Sequence, residues 1–161
     1  MKNCFLILLS LFSLSLPAQD IYLHCGKLVD TENGEILTQK TIVVSGKKIT
    51  SILNGYIDSA NPEDSIIDLK SNTVMPGLID LHVHMESEYN PKKYMDKFTD
   101  NEADIAFKSV KFARKTLMSG FTTVRDLGGS GVNIALRNAI NQGHIVGPRI
   151  FTAGKAIATT G

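Results

Sequence analysis

Residues 74–85 read VMPGLIDLHVHM. The Pro76-Gly77 pair is a chain breaker, and the residues around it, 73–85, are otherwise strand formers. Successive side chains of a strand point to opposite faces, so Asp80, His82 and His84 are expected on one face. Ile79, Leu81, Val83 and Met85 fall on the other. In a barrel of parallel strands the apolar face packs on helices and the polar face points inward, where bare imidazoles and a carboxylate are costly unless they bind something. Two imidazoles two residues apart can converge on one divalent ion, with Asp80 behind them as the acceptor that orients a ring. The competing reading is a hydrogen-bonded pair of core histidines.

Downstream of this stretch the punctuation alternates. Residues 102–118 carry Ile105, Ala106, Val110, Ala113 and Leu117 at helical spacing, and Gly120 stops that helix. Residues 121–127 are rich in β-branched side chains and read as a second strand. Val132, Ala135, Leu136, Ala139 and Ile140 then form the stripe of a second helix closed by Gly143, and residues 149–153 begin a third strand. Strands alternating with helices predict an α/β fold built on a parallel sheet.

Upstream, residues 21–69 read as a small β unit, with strands expected at 21–28, 41–45, 48–53 and 65–69. Ile42 and Val44 should face Ile49 and the Ser51-Ile52 pair across a turn at Gly46-Lys47. Asn33-Gly34 marks another turn, and residues 59–62 read as a loop. His24 falls in a strand of this unit and His144 after the second helix, both without the context that favours ligation.

The first residues stand apart. Lys2 supplies a positive start, residues 5–16 are apolar apart from serines, and Pro17-Ala18-Gln19 provides a small residue for cleavage. Residues 1–18 are therefore expected to be a secretory signal peptide, with 19–70 a small β domain and 71–161 a second domain. The 161-residue chain has 17 basic and 16 acidic residues and is 43% hydrophobic. That composition excludes default disorder, and the absence of a long basic run argues against a nucleic-acid partner. No apolar stretch is long enough to span a bilayer once the leader is gone. The leader takes Cys4 with it, so Cys25 alone cannot form an internal disulfide, and stability must rest on core packing.

The stretch VMPGLIDLHVHM, with GFTTVRDLGG at 120–129 and GPRIFTAGKAIATTG at 147–161, resembles the N-terminal part of the amidohydrolase superfamily, and within it the imidazolonepropionase-like and Xaa-Pro dipeptidase-like subgroup. The resemblance implies about three strand-helix units of a (β/α)8 TIM barrel, preceded by a small β-sandwich-like unit made by segments flanking the barrel. His82 and His84 match the pair of first-strand metal ligands, usually for zinc, as one or two ions. Asp126 matches an acidic position near the site that is not a ligand, and Asp80 lies behind the pair. The implied chemistry is hydrolysis of a C–N bond in a small amide or dipeptide by a metal-activated water. A deaminase acting on a cyclic substrate and a non-catalytic secreted binding protein are the alternatives, and the whole protein is open to homo-oligomerisation.

A complete barrel takes about 250 residues. The chain is accordingly expected to be truncated and inactive alone, since the resemblance places the carboxylated lysine, two further histidines and the catalytic aspartate on later strands. Lys155 follows the third strand and is not assigned the lysine's role. Arg125 either reaches a substrate carboxylate or makes a structural ion pair, and residues 128–131 offer either backbone amides to an anion or a flexible loop.

Two outcomes are expected. Mass spectrometry of exported protein should find an N-terminus at Gln19 or within a residue or two of it, whereas an intact Met1 would count against a leader. Purified residues 19–161 should lack a cooperative thermal transition, because an open parallel edge leaves the helix faces partly uncovered; a sharp transition would identify a self-sufficient domain.

Overall fold

The computed structural model describes residues 19–157 and Thr159, so the expected leader lies outside the described residues. The chain divides into two compact units, one ending at Pro76 and the other beginning at Gly77. The expected boundary after residue 70 would cut through a strand.

The first unit is a four-stranded sheet made by β1 (Asp20–Asp30), β2 (Glu35–Ser45), β3 (Lys48–Asn54) and β4 (Ser65–Val74), in the order β3-β2-β1-β4. The β2-β3 hairpin has the expected partners, Ile42 opposite Ile52 and Val44 opposite Ile49, with a bulge between Val43 and Val44. β2 begins earlier than expected. Its polar first half, residues 35–40, becomes strand by pairing with β1 across the Asn33-Gly34 turn, where Val29 faces Ile36. In that turn Asp30 accepts hydrogen bonds from the amides of Glu32 (3.0 Å) and Asn33 (3.2 Å) and from the Asn33 side chain (2.8 Å), which hold its carboxyl below the ordinary range.

Cys25, Leu28 and Ile42 form the buried core of this unit, packed with Leu23, Leu37, Val44 and Val74. Burial pushes the free Cys25 thiol up, away from the reactive thiolate. His24 is buried, and its Nε2 donates to the Ile57 carbonyl at 3.0 Å, a structural role. Thr73 and Val74 belong to β4, not to the strand that follows, because they pair with Lys27 and Leu28 of β1.

The second unit holds β5 (Leu78–Val83), α1 (Lys93–Thr99), α2 (Glu102–Met118), β6 (Phe121–Asp126), α3 (Val132–Asn141) and β7 (Arg149–Thr152). The strands make a wholly parallel sheet, β5-β6-β7, as the strand-helix alternation predicts. α2 starts at a capping box. The Asn101 side chain accepts from the amides of Ala103 and Asp104, and Asp104 reaches back to the Asn101 amide at 3.0 Å. Its apolar stripe places Ala113 in a core with Met85, Val124, Leu136 and Ile150.

Two details depart from the periodicity. α3 buries Asn133 beside Leu136, while Ala135 is exposed. α1 was not expected, because it buries no apolar stripe: Tyr94, Met95 and Phe98 are exposed, and the helix face is organised by a Tyr94–Phe98 ring contact one turn apart.

In the first unit, β1 and β4 slip register between Cys25 and Lys27, and at this slip a Cβ on Gly26 would lie 1.9 Å from the Lys70 carbonyl oxygen. The strands approach too closely for any side chain there. Gly26→Ala in the whole protein is expected to cost on the order of 1–3 kcal/mol, the usual penalty of overpacking, read as a lower denaturation midpoint. An unchanged midpoint would show that β4 yields without loss.

Candidate functional site

The end of β5 does not follow simple alternation. Asp80 pairs with Val124, but Val83 pairs with Asp126, so Leu81 and His82 together stand opposite Arg125. This is a β-bulge, a device that re-aims side chains near the end of a strand. At its end the His82 and His84 rings lie together, with centroids 5.6 Å apart and planes at 74°. Asp80, on the near side of the bulge, makes no hydrogen bond to either ring, which corrects the expectation that it orients one. Asp80 and His84 both line a cavity of about 280 Å³ against α2, with Thr116 and Ser119, and Asp80 Oδ1 accepts from the His82 backbone amide at 2.9 Å. Asp80 thus fixes the main chain of His82 and does not orient a ring.

The orienting contact on His84 comes from the β6-α3 loop. Nδ1 of His84 lies 2.8 Å from the Gly128 carbonyl oxygen. A carbonyl only accepts, so in this bond Nδ1 carries the proton, and in the neutral ring Nε2 then keeps the lone pair. That is the arrangement in which an imidazole serves as a metal ligand.

Asp126 is 1% exposed and makes no hydrogen bond to either ring. Its Oδ2 accepts from the Met85 amide at 2.9 Å, and its Oδ1 from the Gly128 amide at 2.8 Å and the Asn133 side-chain amide at 3.2 Å. The Met85 amide is next to His84 in the chain, and the Gly128 amide is on the residue that holds its ring.

The amides at the start of α3 do bind an anion, and the anion belongs to the chain. Glu86 accepts from the Ser130 amide at 2.6 Å and the Asn133 amide at 2.8 Å. A Cβ on Gly129 would come within 2.4 Å of the Glu86 carboxyl group, so the glycine admits the carboxylate. Glu86 was missed from sequence. The usable signal was a glycine-rich helix start with an acid two residues past the histidine pair.

Beside these loops lies an open cavity of about 910 Å³, lined by His84, Glu86, Glu88, Lys111, Phe112 and Gly128 among others. Glu88 pairs with Lys115, and that hydrogen bond and charge hold its carboxyl below the ordinary range. Lys108 is held above its ordinary range by Asp100, 2.6 Å away.

Arg125 is exposed and makes no ion pair among the described residues. Its Nε donates to the Leu81 carbonyl at 3.1 Å, which braces the bulge. His144 is exposed, and Lys155 is tied by a backbone bridge to Gly129. Among the described residues no group of three or more His, Cys, Asp or Glu side chains is placed to hold a metal ion. No helix among them is long and apolar enough to cross a membrane.

Comparison with known proteins places this geometry. The crystal structure of a Xaa-Pro dipeptidase with methionine bound in its active site superposes with a TM-score of 0.79 and 43% identity, over 87% of this chain and 34% of that one. Ochratoxinase of Aspergillus niger is 29% identical over 145 residues, 86% of this chain and 28% of the relative. An adenine deaminase of Staphylothermus marinus is 40% identical over 73 residues, 42% of this chain and 12% of the relative. The chain thus spans about a third or less of the length of these relatives. The Amidohydrolase family model matches residues 73–160, which include the bulged strand, the histidine pair and the loop that holds it, and the chain belongs to the amidohydrolase family.

Proposed function

We propose that His82 and His84 are metal ligands in a hydrolase that cleaves a C–N bond of a small amide or dipeptide. The observation that carries this reading is the His84 Nδ1 to Gly128 carbonyl bond of 2.8 Å, with the His82 ring 5.6 Å away. The donor set fits a borderline-soft divalent ion, with zinc as the choice. Such an ion, as one or two equivalents, supplies Lewis acidity and makes hydroxide available near neutral pH.

The chain's own residues provide placement. The bulge, braced by Arg125 and by the Asp80 contact to the His82 amide, aims both rings to one side. The Gly128 carbonyl fixes the His84 tautomer, and the open cavity beside His84 offers room for a small substrate. The remaining ligands and the catalytic aspartate belong to parts of the whole protein outside this chain. The leader pattern at residues 1–18 supports export of that protein.

The similarity to the Xaa-Pro dipeptidase favours peptide or amide substrates. Deamination of a cyclic substrate is the second reading, favoured by the similarity to an adenine deaminase. In the whole protein, elemental analysis should find one or two equivalents of metal, and a panel of dipeptides and N-acyl amino acids should release free amino acid. Ammonia released from a cyclic amine, without dipeptide cleavage, would favour the second reading. Replacing both His82 and His84 by Ala should remove metal and lower turnover by more than about a hundredfold, beyond the effect of losing an outer-shell partner. Unchanged metal content and turnover would make the pair structural.

A further inference from the structure

We infer that Asp126 is a positioning residue that sets the tautomer of His84 through the backbone. The importance of that tautomer for metal binding rests on the function proposed above; the positioning itself does not.

The Gly128 carbonyl can hold His84 Nδ1 only if the β6-α3 loop keeps its place against the end of β5. Asp126 makes both connections. One carboxylate oxygen takes the Met85 amide, the peptide immediately after His84, and the other takes the Gly128 amide, on the residue whose carbonyl meets the ring. A single buried carboxylate therefore spans donor and acceptor of the ring contact.

The neighbouring Asn133 supports this assignment. It is fully buried, and its side-chain NH2 donates to Asp126 Oδ1 at 3.2 Å and to the Gly154 carbonyl at 2.9 Å. Its own Oδ1 has no hydrogen-bond partner among the described residues. An orphaned buried acceptor is costly, so the amide's orientation is dictated by the acceptors that need its protons. Glu86 fixes the same loop by a separate route, through the amides of Ser130 and Asn133, and makes no contact with Gly128 or Met85 amides.

Substituting Asp126→Asn places an NH2 group against at least one backbone N–H, since every present partner of the carboxylate is a donor. The loop must then shift, and the ring loses its fixed acceptor.

The test uses the metal-free whole protein with 15N-labelled histidine, reading the ring nitrogens by two-bond correlation and assigning His84 by its loss in His84→Gln. The wild type should show the Nδ1–H form alone. Asp126→Asn should show a mixture or the Nε2–H form, while Asp104→Asn, whose carboxylate meets only the Asn101 amide at the start of α2, should keep the wild-type pattern. The Nε2–H form in the wild type, or an unaltered Nδ1–H form in folded Asp126→Asn, would overturn the inference.

If Asp126→Asn does not fold, Asn133→Ala decides. It removes one of the three donors, so the carboxylate is less fixed and exchange of the Gly128 amide should rise several-fold; unchanged exchange would overturn the inference. Zinc titration then separates the two proposals. Asp126→Asn should weaken zinc uptake about 10- to 100-fold. A wild type that takes up no zinc would sink the metal reading alone, because the tautomer is read without metal.

Discussion

Much of the second unit is organised around one buried carboxylate. Asp126 terminates β6, where the chain must leave the sheet, and its side chain accepts three N–H donors from three different places: the exit of β5, its own loop and the first turn of α3. A buried anion is tolerated only with such a set of donors. In satisfying itself it determines where each of those segments sits. The loop carbonyls are fixed as a consequence, including the one that meets His84.

The bulge in β5 is the second constraint, and it follows from opposing demands on residues 80–84. Asp80 lies against α2, Val83 packs against the core two rows on, and the histidines must turn away from that core. Strict alternation cannot meet all three demands. One extra residue between Asp80 and Val83 does, and Arg125 holds the bulged peptide through the Leu81 carbonyl. On the face away from the helices, Leu81 is 62% and Phe151 59% exposed. These side chains flank Arg125 in the sheet register and present an apolar row that neither α2 nor α3 covers.

Sequence reasoning succeeded where the determinants are local. The span of α2 was legible because its apolar stripe lies within the element and Gly120 stops it just beyond. The β2-β3 hairpin was legible because a two-residue turn sets its register. β2 before Thr41 and α1 were missed for opposite reasons: one is mostly polar sequence made into strand by its partner, the other apolar sequence that makes no core. The histidine pair was read from its spacing, yet the role given to Asp80 failed, because a bulge is defined by how many residues the neighbouring strand supplies. Nothing in residues 78–84 records that. Asp126 was placed near the site by resemblance, but its partners lie up to 41 residues away and only the fold reveals them.

The choice of a carbonyl, and not a carboxylate, as the acceptor for His84 has a consequence of its own. A carboxylate directly on Nδ1 would draw the ring toward the imidazolium form and raise the basicity of Nε2. A neutral carbonyl fixes the same tautomer with less charge beside the ring. The chain has carboxylates within a few residues, at Glu86 and Asp126, and each is turned to backbone or side-chain amides instead. Their charge is absorbed by N–H donors at the loop and the α3 N-terminus. Position is thus transmitted to the ring through two hydrogen bonds and a peptide, while the anion's charge stays one step removed. That arrangement fixes the orientation of the ring without placing an anion directly on it.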